Sequence, residues 1–271
     1  MTNETQPNAD FWKFRAIDER LAQLLTEREL WFSVPGHFND PFDCQVDIEN
    51  TFSAIRSELR EHLDDGFSGM IHQVEEHVRS TRYAYLCMCQ AWNQTLMWSH
   101  YGENHRGVAL GFTFEPDSLF GVSELTSGDV VYRTTALKEQ MGYVNEALGR
   151  SQAFPPHAPG LMWSEGIEFR QQFHEALTRL YEIVRFMKAE CWSYEEEYRF
   201  EVELRDTPAS GIARKFSPRD LKHILFGTLC DKTYVEEVRR LLSGLEWEHV
   251  EYWKCERDSV NLILKAEKFA N

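Results

Sequence analysis

Trp192-Ser193-Tyr194-Glu195-Glu196-Glu197-Tyr198-Arg199-Phe200-Glu201-Val202-Glu203-Leu204 changes character halfway along. From Tyr198 onward apolar and charged residues alternate at period two, the pattern of a half-buried strand. Before it, three carboxylates sit between aromatic residues. Read as strand from Glu195 on, the stretch puts Glu195, Glu197 and Arg199 on one face and Tyr194, Tyr198 and Phe200 on the other. Carboxylates on one face of a strand, flanked by aromatics, suit general-base work or recognition of sugar hydroxyls. The same face also reads as a solvated row of Glu–Arg pairs, each of little energetic worth.

Upstream, apolar residues at helical spacing (Phe173, Leu177, Leu180, Val184, Met187) predict a helix over 168–189. It follows the Pro/Gly-rich breaker at 154–160, read as a loop inside one domain. At the other end, 1–10 reads as a loose polar tail. After it come a strand at 11–15, a helix at 17–29 and a strand at 30–34 stopped by Pro35-Gly36. The loop Phe38-Asn39-Asp40-Pro41-Phe42-Asp43-Cys44 has two readings: a rigid turn pinning Phe38 and Phe42 into the core, or a border on which Asn39 or Asp43 meets a ligand. Helices are expected at 52–63, 68–79, 96–101, 136–148 and 234–242. Further strands are expected at 83–89, 108–112, 130–133, 223–227, 247–253 and 260–264. Ser217-Pro218 caps a helical turn. Strands and helices mix without a regular βαβ rhythm, so the expectation is one α+β domain over 11–271.

The chain has 271 residues, 42% hydrophobic and 27% charged, enough for a sizeable core. A net charge of −15 argues against a general nucleic-acid or membrane-surface binder, though a local basic pocket for one phosphorylated ligand is compatible with it. The six cysteines show no C-x-x-C pairing; Cys87 and Cys89 point the same way along one strand and read as free thiols of a reducing cytoplasm. No apolar run reaches spanning length, so a cytoplasmic protein without membrane partners is expected. P-loop, G-x-G-x-x-G, H-E-x-x-H and G-x-S-x-G motifs are absent, and the ten histidines are dispersed, so no metal is expected.

Three motifs in order carry a resemblance: Leu30-Trp31-Phe32-Ser33 with Phe38–Asp43; Met97-Trp98-Ser99-His100-Tyr101 with Asn104-His105-Arg106-Gly107-Val108-Ala109-Leu110-Gly111-Phe112; and Trp192-x-Tyr194-Glu195-x-Glu197-Tyr198-Arg199. Together they resemble a bacterial family known as domain of unknown function 2971, across most of the chain. That pattern in turn resembles the ADP-ribosyltransferase fold, a mainly antiparallel split β-sheet core decorated with helices that binds NAD in a cleft. The resemblance implies NAD as substrate, with Arg15 on the first strand pairing its pyrophosphate or orienting its ribose. It implies Ser33 on the second strand as a ribose ligand. Glu197 would stabilise the oxocarbenium-like state as nicotinamide leaves, and Glu195 would activate the acceptor. Asn39, Tyr101 and Arg199 complete the expected NAD-binding set, and His100 is a candidate acid/base. The second strand, Trp-Phe-Ser-Val-Pro, departs from the aromatic-Ser-Thr-Ser run of the Arg-Ser-Glu enzymes.

Three functions follow. One is an ADP-ribosyltransferase or NAD glycohydrolase, acting on an unidentified macromolecular or small-molecule acceptor, as in a toxin or phage-defence effector. Another is a nuclease or glycosidase using Glu195, Glu197 and His100. The last is a non-catalytic sensor or binding module in which Glu195, Glu197 and Arg199 are a structural ion-pair network.

Overall fold

A computed structural model of the chain describes residues 6–44, 82–115, 125–133, 185–204 and 210–269, with 175, 178–179 and 182–183 besides. The helices expected at 52–63, 68–79 and 136–148, and the breaker at 154–160, lie outside them. The first strand, β1 (Phe11–Arg15), buries Trp12 and Phe14 on one face. Asp18 then caps α1 (Glu19–Glu27) by accepting from the Leu21 backbone at 3.0 Å. Leu21, Leu24 and Leu25 form its buried stripe, each worth about 1.5–3 kcal/mol of burial. Arg28 ends the helix in the left-handed conformation, φ 56°, and the chain enters β2 (Glu29–Ser33).

The remaining elements are β3 (Arg82–Cys89), α2 (Thr95–His100), β4 (Val108–Phe112), β5 (Thr126–Asp129), β6 (Glu197–Leu204), β7 (Gly211–Lys215), β8 (Leu221–Phe226), α3 (Lys232–Leu241), β9 (Glu251–Asp258) and β10 (Ile263–Lys268). Among the described residues, all ten strands share one sheet. Its main path runs β10-β9-β8-β4-β1-β3-β2-β7, with β6 on β3 and β5 on β6. Every ladder is antiparallel except β8 with β9, which α3 connects as a crossover helix. The α+β expectation of a mixed, mainly antiparallel sheet holds. Apolar side chains are buried on both faces. Leu21 and Leu25 of α1 and Val238 of α3 pack with Leu86, Leu110 and Phe200 on one. Met97 and Trp98 of α2 pack with Trp12, Phe14 and Trp253 on the other.

The sheet is forked at β3. Cys89 pairs with Trp12 of β1, whereas Tyr85 pairs with Ser33 of β2. β1 and β2 then follow different neighbours, β1 along the whole of β4 and β2 along the whole of β7. The other edge of β3 is fully paired, from Arg82↔Leu204 to Cys89↔Glu197 of β6.

Several local expectations are corrected. The stretch at 195–197 is not continuous strand: a 3₁₀ turn, Glu190–Glu195, is followed by Glu196 in the left-handed region, φ 42°, and β6 begins at Glu197. The helix expected to reach 189 is over by Phe186, because Met187 bridges Val131. The strand expected at 130–133 is instead β5, whose Thr-Ser-Gly-Asp sequence has no apolar alternation to reveal it. Val260 and Leu262 lie in a turn closed by Asp258 carboxylate bonds to the backbone of Val260 and Asn261, which moves β10 later. The 247–253 strand begins at Glu251, after a 3₁₀ turn at Leu245–Trp247. Phe42 is 79% exposed, so the 38–44 loop does not pin it into the core.

Candidate functional site

The fork opens a cleft of about 790 Å³, within the range of small-molecule sites. Lys13 and Arg15 of β1, Arg20 of α1, and Ser33 of β2 line one part of it. Asn39, Asp43, Tyr101, Lys188, Glu195 and Glu197 line another. Arg15, Ser33, Asn39, Tyr101, Glu195 and Glu197, six residues marked in the sequence, therefore border one cavity.

Two do not. Arg199 is fully buried, one residue beyond Tyr198 on the Glu197 face of β6. His100 lies outside the lining, its Nδ1 2.9 Å from the Tyr194 hydroxyl and its ring edge-on to Trp192. Lys13, Arg20 and Lys188 carry no motif that marks them in the sequence, and Asp43 stands there only as a possible border. Lys188 in particular lay inside a stretch whose pattern read as helix.

Below the cleft lies a buried charge cluster. Arg199 Nη2 donates to both Asp43 oxygens at 2.7 Å, and its Nε donates to Glu197 Oε1 at 2.6 Å. Its Nη1 donates to the Arg185 carbonyl at 2.9 Å. Lys188 donates to Glu195 and, at 3.0 Å, to Glu197 Oε2, and stands 3.4 Å from Asp43. Tyr101 donates to Glu195 Oε1 at 2.7 Å and accepts from Asn39 Nδ2 at 2.7 Å. The left-handed Glu196 is what lets Glu195 and Glu197 converge on one ammonium without being strand neighbours. Its conformation is held by a Gln94 side-chain bond to its carboxylate and by the Gln90 backbone donating to its carbonyl at 3.0 Å.

Three carboxylates thus face two cations, and burial separates the two glutamates. Burial raises the Glu195 carboxyl, against the Lys188 charge and the Lys188 and Tyr101 hydrogen bonds. Burial would also raise Glu197, but the Arg199 guanidinium and then Lys188 overcome it and hold its pKa at about 2. Burial opposes the Lys188 charge, yet Glu197, Glu195 and Asp43 keep it firmly protonated. Glu197 is therefore held as an anion, beside a Glu195 carboxyl that burial raises.

The depressed Glu197 makes stability pH-dependent with a definite sign. Its contribution is fully present above the ordinary 4.5 and is lost as pH falls from there toward 2, because the unfolded chain then binds more protons. Urea midpoints measured across that window are expected to fall more steeply for the native chain than for Glu197→Gln; parallel curves would show that Glu197 is not the linked group.

Residues 97–200 match the model of a family described as a protein of unknown function, DUF2971. The match runs from α2 through the first half of β6. It takes in the second and third of the three motifs. No curated protein and no solved structure matches the chain. Among the described residues no helix is long and apolar enough to cross a membrane, and no group of three or more His, Cys, Asp or Glu is placed to hold a metal.

Proposed function

We propose that the cleft binds NAD and that the protein transfers its ADP-ribosyl group to an acceptor, or to water as a glycohydrolase. The reading rests on one observation: Arg15 of β1, Ser33 of β2 and the Glu195–Glu197 pair border a single cavity at the fork of the sheet. Arg15 is the pyrophosphate ligand and Ser33 a ribose ligand in this reading. As the bond from ribose C1′ to the nicotinamide nitrogen breaks, its electron pair leaves with nicotinamide. The anionic Glu197 is the nearby negative charge for the oxocarbenium-like carbon. Glu195 accepts the proton of the hydroxyl, amine or water that attacks C1′. An effector that depletes NAD or modifies a target, in the manner of a toxin or phage-defence protein, is the corresponding cellular role.

The test is NAD labelled on its adenylate, offered to the purified protein with and without bacterial lysate. Nicotinamide release or label transfer is expected. Arg15→Ala is expected to weaken NAD binding at least about tenfold, the worth of a charge-assisted contact. Absence of both turnover and thermal stabilisation by NAD would overturn the reading. A second reading, a non-catalytic binding module, is favoured by the burial of the Asp43–Arg199–Glu197–Lys188 cluster, at most 4% exposed in its side chains. Stabilisation by NAD without turnover would select it.

A further inference from the structure

We propose that Lys13 is a nucleophilic amine of the cleft, which condenses with an aldehyde carried on an anionic ligand to form an imine. The proposal rests on the fork and stands apart from the NAD reading. Lys13 reaches across the opening between β1 and β3, where its Nζ donates to the Cys87 carbonyl at 2.6 Å. A backbone carbonyl holds an amine in place without demanding that it be charged. The charged and titratable groups around it are Arg15 on its own strand, Glu195 on the 3₁₀ turn, Glu197 on β6 and the Cys87 thiol on β3. Glu195 is already bonded to Lys188, and Glu197 to Lys188 and Arg199. Arg15, two residues along the same face of β1, adds a like charge.

Burial first and Arg15 second lower the Lys13 pKa to about 8, with Cys87, Glu197 and Glu195 acting in the opposite direction. Lys188 is the contrast within the same cleft, since three carboxylates keep it protonated. A desolvated lysine beside a second cation is the arrangement that makes an amine nucleophilic at neutral pH. Arg15 and Arg20, which line the same cleft, are the anchor for the ligand's phosphate or carboxylate. In the reaction the Nζ lone pair adds to the carbonyl carbon and the C=O π pair moves to oxygen. Proton transfer and loss of water then leave the C=N bond, with no oxidant or reductant consumed.

The probe is pyridoxal 5′-phosphate, followed by sodium borohydride to fix the imine and peptide mass spectrometry to locate it. At pH 7.5 Lys13 is expected to label at least about tenfold faster than the exposed Lys215, Lys254, Lys265 and Lys268. The rate is expected to be half-maximal near pH 8. Lys13→Met removes the fast phase and leaves the slow one, while Arg15→Met moves the half-maximum upward and slows labelling. Labelling of Lys13 no faster than the exposed lysines, or a wild-type profile rising only near the ordinary 10.5, overturns the proposal. No NAD enters this experiment, so a protein without NAD turnover still decides it.

Discussion

Arg199→Met is expected to destabilise the protein by about 3–5 kcal/mol, because it leaves Asp43 and Glu197 as uncompensated buried anions. Both carboxylates are at most 4% exposed in their side chains, so water cannot take the guanidinium's place. Lys188 covers part of the loss through its contacts with the same two acids, but it already serves Glu195. Arg199→Lys is expected to fare little better. A single ammonium cannot present two nitrogens to Glu197 and Asp43 at once, nor reach the Arg185 carbonyl besides. Urea unfolding of the two variants measures the effect. Replacing Asp43, Glu197 and Arg199 together by apolar residues of similar volume is expected to recover most of the loss, since the charges then need no compensation. A loss under about 1 kcal/mol for Arg199→Met would show the cluster to be screened like a surface pair.

Glu195→Gln is expected to lower NAD turnover by about 10²–10⁴-fold while leaving the unfolding midpoint nearly unchanged. The amide keeps one oxygen, for Lys188, and turns its NH2 to the Tyr101 hydroxyl as a donor, but it cannot accept a proton from an attacking nucleophile. The fold tolerates the change because burial already raises Glu195, so its charge is the one the cluster holds least firmly. Glu197→Gln is expected to behave in the opposite way: it removes the anion that Arg199 and Lys188 hold, and stability falls. Circular dichroism melts beside single-turnover kinetics separate the two. Equal stability losses at both positions would make the pair structural, and unchanged turnover in Glu195→Gln would remove it from the chemistry.

Strong local patterns were legible in the sequence. Alternation in Phe11–Arg15 and Tyr198–Leu204, the apolar run Val108–Phe112 and the capped turn at Ser217 all became the expected elements. β5 and β7 were not, because a polar edge such as Thr-Ser-Gly-Asp gains its strand geometry from β6 rather than from its own side chains. Six of the marked residues border one cleft, but Glu195 and Glu197 do not meet there by the geometry that periodicity predicts. Strand periodicity set them on one face, whereas a left-handed Glu196 brings them together. Lys188 was invisible for a related reason. Its helical surroundings gave no sign that the helix stops and a bridge to Val131 turns its ammonium inward.

The fork also constrains how the protein comes into being. β1 closes on β4 through Phe11↔Phe112, and β3 closes on β6 through Arg82↔Leu204, so the ladders flanking the cleft join segments far apart along the chain. Such closures are entropically slow. During synthesis the cationic wall of β1 and α1 emerges long before the carboxylates of 195–197. A nascent or truncated chain that stops short of the turn at Glu190–Glu195 therefore carries Lys13, Arg15 and Arg20 without the Glu195–Glu197 pair. The cleft gains its Glu195–Glu197 pair only when β6 joins β3.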